Sequence, residues 1–314
     1  MKAAQIDTYG GADVVDINNN AVKPAASAGS ILVEVHAAGV NPVDWKIREG
    51  YMQQMVPLQF PATLGGDFSG VVSDVGADRA GFKPGDAVYG TAIVVGGGSG
   101  SFAEFASAKA DSIAHKPKSV SHLEAAALPL TGVSALQALT EHMRLTNGQR
   151  VLIHGGAGGI GSMAIQLAKH LGAYVATTVK AGDADYGKSL GADEVIDYEH
   201  QRFEEVGSNY DAVFDTVGGD TYARSFGVLK SGGVIVSMLE QPNEELMKRY
   251  GVKAVSQFTQ IITERLSKLA EFVDQGVIKV HVDKTFLLER AGEALAYLQS
   301  GNVQGKVVVK IKEA

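Results

Sequence analysis

The chain has 314 residues, 45% of them apolar and 20% charged, with 38 glycines, no cysteine and a formal net charge of −7. At roughly 150 residues per domain this length predicts two domains, each with its own core. An acidic chain with no basic run lacks the clustered Lys and Arg that nucleic acids or anionic membranes require, and without cysteine there are no disulfides, thiol nucleophiles or Cys-ligated metals. The first part of the chain reads as β-rich, with strands expected at 2–6, 31–36, 70–75, 86–89 and 101–106. Turn clusters such as Pro84-Gly85-Asp86 separate them, which suggests a small barrel or sandwich.

The pattern changes after His122. Ser121 and Glu124 have the spacing of a capping box, and Val133, Leu136, Leu139, Thr140 and Met143 trace a helical stripe. Strands then alternate with helices. Strands are expected at 150–154, 174–178, 194–197, 211–215 and 233–237, with a sixth at 252–255. A helix over 160–171 carries its apolar residues on one face and stops at Gly172. This alternation predicts an α/β fold with a doubly wound parallel sheet beside the β-rich domain. A helix over 260–275 and strands at 279–282 and 306–312 complete the chain. The longest apolar run, 87–95, is broken by Gly90 and Thr91 and is too short to span a membrane. No apolar segment of the kind a signal peptide carries follows Lys2, so a cytoplasmic location is the default expectation.

The sharpest local signal is Gly155-Gly156-Ala157-Gly158-Gly159-Ile160-Gly161. Gly156, Gly158 and Gly161 form G-x-G-x-x-G directly after one expected strand and at the start of an expected helix. In that setting the first glycine permits a tight turn. The second lets backbone approach a pyrophosphate, and the third lets helix and strand pack closely. Dinucleotide binding at the helix N-terminus follows. An NAD site places an acid at the end of the next strand, about 20 residues on, for the ribose 2′-hydroxyl. Here Ala176, Thr177 and Thr178 are followed by Lys180, which favours the 2′-phosphate of NADPH. A short-chain dehydrogenase would need Tyr-x-x-x-Lys, and none of the ten tyrosines has Lys four residues later.

In chain order, Ala37-Ala38-Gly39-Val40-Asn41-Pro42-Val43-Asp44, Leu64-Gly65-Gly66-Asp67-Phe68-Ser69-Gly70, Ala127-Leu128-Pro129-Leu130-Thr131-Gly132, the glycine-rich turn, Ser189-Leu190-Gly191-Ala192-Asp193, Asp215-Thr216-Val217-Gly218 and Gly305-Lys306-Val307-Val308-Val309 form a recognisable series. Together they resemble the medium-chain dehydrogenase/reductase superfamily, in its zinc-free quinone oxidoreductase (zeta-crystallin-like) and alkenal or enone reductase branches. The resemblance implies a GroES-like domain over 1–122, completed by 265–314, and a Rossmann NADP-binding domain over 123–264. Zinc-dependent relatives carry a Gly-His-Glu element where this chain has Gly66-Asp67-Phe68. Its eight histidines lack paired ligand spacing. No metal is therefore expected.

Carried over residue by residue, the resemblance sets Asn41 beside the nicotinamide ribose and Leu130 and Thr131 near the carboxamide. Gly156 and Ala157, Gly158, Gly159 and Ile160 would line the pyrophosphate, and Thr178, Lys180 and Tyr198 the 2′-phosphate. Asp215, Thr216 and Val217 would pass under the cofactor, with Ser237, Met238, Leu239, Val255 and Phe258 at its nicotinamide half. Where many quinone reductases have Thr-Tyr, this chain has Trp45-Lys46, and Lys46 resembles the alkenal-reductase branch. The resulting expectation is hydride transfer from NADPH to a quinone or enone, with Lys46 and Asn41 as catalytic residues and Tyr51, Met52 and Met55 as an apolar wall. A redox sensor or structural protein that binds NADPH without turnover is the alternative. A zinc-free alcohol dehydrogenase is disfavoured, because forming an alkoxide needs a metal or an activated Tyr. Small-molecule acceptors are the expected partners, and association to a homodimer is the one macromolecular interaction entertained.

Overall fold

A computed structural model describes residues 1–77 and 81–312. It divides into two compact units, one of residues 1–130, 261–276 and 280–314, the other of residues 131–260 and 277–279. Among the described residues no helix is long and apolar enough to cross a membrane.

The first unit is built on a seven-stranded sheet in the order Val282–Leu287, Lys306–Lys310, Ser30–Val40, Asp67–Val75, Ala87–Thr91, Ile113–His115, with Phe105–Lys109 also pairing with Ser30–Val40. A smaller sheet joins Asp16–Asn18, Ala3–Ile6 and Ala62–Thr63. The long strand Ser30–Val40 organises the unit. Its register against Asp67–Val75 shifts between Val35 and Ala37, so His36 is an extra residue in the ladder. A one-residue bulge changes which side chains face a given side. Accordingly Ile31, Val33 and Val35 pack with Phe68, Val72, Val88 and Ile113 in one core. Ala38 and Val40 pack with Ile47, Leu64, Phe102, Val307 and Val309 in another.

The second unit contains a six-stranded parallel sheet in the order Glu194–Asp197, Tyr174–Val179, Arg150–His154, Tyr210–Asp215, Leu229–Ser237, Lys253–Ser256. Numbered within the unit this is 3-2-1-4-5-6, the order of a doubly wound dinucleotide-binding sheet. All six strands overlap the predicted ranges, although Leu229–Ser237 begins four residues before the expected 233–237.

Other elements differ from expectation. The strand expected at 101–106 begins at Phe105; residues before it make only an isolated bridge, Ala3 to Ala103. The strand expected at 279–282 runs over Val282–Leu287, because Lys279 gives its backbone N–H to Gln166 instead of to a ladder. The expected helix at 260–275 spans Thr263–Asp274. The stripe from Val133 to Met143 is helical throughout but widens after Pro129–Leu136. Met143 N–H reaches back five residues to the Ala138 carbonyl at 2.9 Å. The helix Pro42–Arg48 was not expected, although Asn41, Pro42 and Asp44 form its N-cap, first-turn proline and capping box.

Close packing of helix His122–Ala126 on the central strand depends on Gly39. A Cβ there would lie 2.2 Å from the Ala126 carbonyl oxygen, which neither backbone can yield. Gly39→Ala is expected to cost about 1–3 kcal/mol by overpacking. That corresponds to a Tm loss of roughly 2–10 °C in thermal denaturation. Gly182→Ala, where nothing lies within 4 Å, should leave Tm almost unchanged.

Candidate active site

At the end of Arg150–His154 the chain turns through Gly155, at φ +71°, into helix Gly159–His170. The left-handed residue is thus Gly155, one position before the glycine assigned to the tight turn. The glycines that follow are required for different reasons. A Cβ on Gly156 would stand 2.0 Å from Thr177 Oγ1, and one on Gly161 would stand 2.2 Å from the Gly155 carbonyl oxygen. Both would collide with the sheet or the turn. A Cβ on Gly158 would meet only the Gly155 oxygen, at 3.4 Å. The fold therefore leaves that face open. Gly158 is also the N-cap and brings no side-chain hydrogen bond, so the first-turn N–H groups are offered outward with the positive end of the helix dipole. An N-terminus offered in this way can take an anionic group.

Beneath the turn lies a buried polar chain that spacing alone did not show. His154 contacts Thr178 Oγ1 through Nδ1 at 3.1 Å and Ser225 Oγ through Nε2 at 2.9 Å. The Ser225 hydroxyl donates to the Thr221 carbonyl, so it accepts from His154 Nε2–H. Thr178 then donates to Nδ1 and accepts from the Gly155 N–H at 3.3 Å. Burial, reinforced by the Arg224 charge, holds His154 neutral by lowering its pKa to about 3. The Thr178 hydroxyl is engaged in this chain rather than presented at the surface.

The carboxyl ends of the strands divide the remaining predicted residues into two groups. Asp215 and Ser237 are fully buried. Asp215 accepts from the Val217 and Gly218 N–H groups at 3.0 and 2.9 Å and from the Ser237 hydroxyl at 2.7 Å. Ser237 Oγ in turn accepts from the N–H groups of Leu239 and Glu240. Thr216 donates to the His154 carbonyl at 2.8 Å, and Met238 N–H to the Asp215 carbonyl at 3.0 Å. These bonds shape the loops. What the loops present is apolar: Tyr198, Val217 and Leu239 are half-exposed, and Phe258 is 84% exposed. Each follows the end of a different strand. Val255 lies within the last strand, half-buried. Lys180 and Tyr198 follow the paired residues Val179 and Asp197 at neighbouring strand ends.

In the first unit the structure assembles a cluster of which only Asn41 and Leu130 were anticipated. Asn41 is 1% exposed, and its amide is engaged at both ends. Nδ2 donates to Asp67 Oδ2 at 2.8 Å, and Oδ1 accepts from Lys306 Nζ, which also donates to the Val40 carbonyl. Asp67 Oδ2 accepts a second bond from the Leu130 N–H at 2.9 Å. Asp44 Oδ2 accepts the Asn41 backbone N–H at 2.8 Å, while its Oδ1 is buried without a partner. Burial raises Asp44 to about 7 and Asp67 to about 6, and lowers Lys306 from its usual value. Asp67 opening an apolar strand beside Gly66, and Lys306 opening Val307–Val309, were the available sequence signals.

Lys46 is half-buried on helix Pro42–Arg48, with Nζ 5.6 Å from the centre of the Trp45 ring. Tyr51 packs edge-on against Trp45 at 5.8 Å and is largely exposed, as is Met55, whereas Met52 packs on the core. Thr131 is buried and Leu130 half-buried on helix Pro129–Leu136. His36 and His122, far apart in sequence, meet with tilted rings 4.4 Å apart, and burial lowers His122 to about 4. Among the described residues no group of three or more His, Cys, Asp or Glu is disposed to hold a metal ion.

Two family models match the chain: an alcohol dehydrogenase GroES-like domain over residues 27–118 and a zinc-binding dehydrogenase over residues 190–309. The 2-methylene-furan-3-one reductase of Solanum lycopersicum is 36% identical over 98% of this chain and 79% of its own length. The quinone oxidoreductase from Coxiella burnetii superposes with a TM-score of 0.91 at 35% identity, covering 99% of each chain. Escherichia coli quinone oxidoreductase, solved in complex with NADPH, superposes at 0.87 with 28% identity, covering 99% of this chain and 100% of that one. With relatives this similar along its whole length, the chain belongs to the medium-chain dehydrogenase/reductase superfamily, among its quinone and alkenal/one oxidoreductases.

Proposed function

We propose that the protein is an NADPH-dependent reductase that delivers hydride to quinones or to α,β-unsaturated carbonyls without a metal ion. The observation that carries this reading is the uncapped N-terminus of helix Gly159–His170 behind an open Gly158, at the end of the first strand of a 3-2-1-4-5-6 sheet. Ala157 to Ile160 would hold the pyrophosphate on backbone N–H groups. Lys180 and Tyr198 would take the 2′-phosphate, because no carboxylate occupies the end of the second strand. Val217, Met238, Leu239, Val255 and Phe258 would supply apolar contact to the nicotinamide half. When bound, NADPH supplies the hydride.

The acceptor class follows from the relatives' names, which specify quinones and a methylene-furanone, both carbonyls conjugated to C=C. In such an acceptor negative charge gathers on the carbonyl oxygen as hydride reaches carbon. Lys46 is assigned to that oxygen as hydrogen-bond donor: no carboxylate pairs with it among the described residues, and an aromatic ring lies beside its ammonium. Asn41, with both ends of its amide engaged, is assigned to hold the backbone that leads into the Lys46 helix.

Consumption of NADPH in the presence of 9,10-phenanthrenequinone and of 2-hexenal, with NADH in parallel, tests the proposal directly. Turnover with neither acceptor would overturn it. Gly158→Val should fold with an unchanged Tm yet no longer enhance NADPH fluorescence. Lys180→Ala should weaken NADPH by about tenfold or more, about 1.4 kcal/mol, and leave NADH within about threefold. Equal affinities of the unmodified protein for the two cofactors would remove the 2′-phosphate assignment. Lys46→Met keeps the stem and deletes the charge, so kcat for the enone should fall about tenfold or more with NADPH affinity little changed. The quinone, which depends less on that donor, should lose less, and a chelator should affect neither variant nor parent.

A further inference from the structure

We infer that Asp67 and Lys306 are positioning residues for the nicotinamide and acceptor end of the site, acting through Asn41 and Leu130. Neither has been assigned a part in the chemistry above. The geometry points to one because a single carboxylate oxygen, Asp67 Oδ2, joins the segment that leads into the Lys46 helix to the Leu130 segment, which the family resemblance sets near the carboxamide. It accepts from the Asn41 side chain at 2.8 Å and from the Leu130 backbone N–H at 2.9 Å. Asn41 is the N-cap of the helix that carries Lys46, and Leu130 lies in the first turn of the helix that carries Thr131.

An amide held only from its nitrogen could still turn. Lys306 removes that freedom by donating to Asn41 Oδ1 and to the Val40 carbonyl, so both ends of the amide and the backbone before it are fixed. The Asp67 carbonyl is held too, by the Ser101 hydroxyl at 3.0 Å. Side chains and backbone from residues 40, 41, 67, 101, 130 and 306 thus converge on one buried polar cluster, with Asp67 and Lys306 1% and 3% exposed. A buried acid and ammonium facing one amide is a costly way to fill a core, since an apolar pair of similar volume usually serves stability as well or better. It is an effective way to hold a side chain and a helix terminus within the tolerance that hydride transfer demands.

This inference rests on the reading of Asn41 and Leu130 as nicotinamide-side residues, and its test separates the two. Asp67→Leu removes both accepted hydrogen bonds while keeping the branched heavy-atom skeleton. Asp67→Asn can keep both on its carbonyl oxygen and removes only the charge. Lys306→Met removes the ammonium and keeps the stem. For each variant kcat and KM with the enone are measured, together with NADPH affinity by fluorescence and, without cofactor, hydrogen exchange at the Leu130 amide. Asp67→Leu should speed exchange at Leu130 and lower kcat about tenfold or more, with NADPH affinity within about threefold. Asp67→Asn should recover most of that loss. Lys306→Met should lower kcat while Leu130 exchange stays slow, because its bond to Asp67 is intact. Should Asp67→Leu fail to fold, the contrast between Lys306→Met and Asp67→Asn decides. NADPH bound normally with kcat within about threefold of the parent in Lys306→Met and in the folded Asp67 variants would overturn the inference alone. Failure of the unmodified protein to bind NADPH would overturn the reading beneath it and the inference together.

Discussion

The β-rich unit is arranged around a charge it has to bury. Lys306 opens the strand Lys306–Lys310, in the middle of a sheet, and its ammonium has no route to solvent. A charge in that position persists only where oxygens surround it. The Val40 carbonyl and the Asn41 amide supply direct bonds, and the Asp67 and Asp44 carboxylates supply opposite charge. To bring these groups together, strand Ser30–Val40 must end beside Lys306, Asp67 must begin the neighbouring strand, and a helix must start at Pro42. Burial opposes ionisation of all three groups. Both acids titrate above their usual range, so whatever stability their neutral forms contribute is lost as pH rises through about 6 to 7. Lys306 titrates below its usual range, and its contribution is lost as pH falls through that lowered value.

The Rossmann unit solves its problem differently. Its polar side chains are turned inward to build loops, and the loops present backbone N–H groups and apolar surface. Asp215 and Ser237 fold the ends of two adjacent strands, and His154 with Thr178 supports the glycine turn from below. Neutral His154 suits this role, because an imidazolium would put positive charge in the core and break the acceptor side of the chain. A dinucleotide would meet uncapped amides at one end and Val217, Leu239 and Phe258 at the other.

Magnitudes limit the chemistry such an arrangement supports. One well-placed hydrogen-bond donor contributes about 3–4 kcal/mol to a transition state. That is useful for a quinone or enone, whose carbon is already electrophilic and whose oxygen becomes a delocalised anion. Generating an alkoxide near neutral pH is a larger task. Zinc lowers the pKa of bound water by about 9 units, about 12 kcal/mol. A single ammonium, the role proposed for Lys46, does not replace that.

Local pattern was sufficient wherever a signal repeats along the chain. Six parallel strands, the helix behind the glycine turn and its stop at Gly172 are all legible, because apolar periodicity and backbone-special residues depend on near neighbours alone. Spacing also located the glycine-rich turn between strand and helix, whereas only the fold shows that its left-handed residue is Gly155, one position before the glycine assigned to the tight turn. Helix Pro42–Arg48 carried a readable N-terminal signature but is too short for an apolar stripe to announce it. Tertiary structure alone decided what the polar residues do. Asp67 and Lys306 lie 239 positions apart and become partners of one amide only when their strands flank Ser30–Val40. The resemblance gives Thr178, Asp215 and Ser237 as ligand contacts, and only the fold shows that their side chains bond His154 and the loop amides. The reason is physical: hydrophobic order is set by composition and period, whereas the partner of a buried polar group is set by which distant segment arrives beside it.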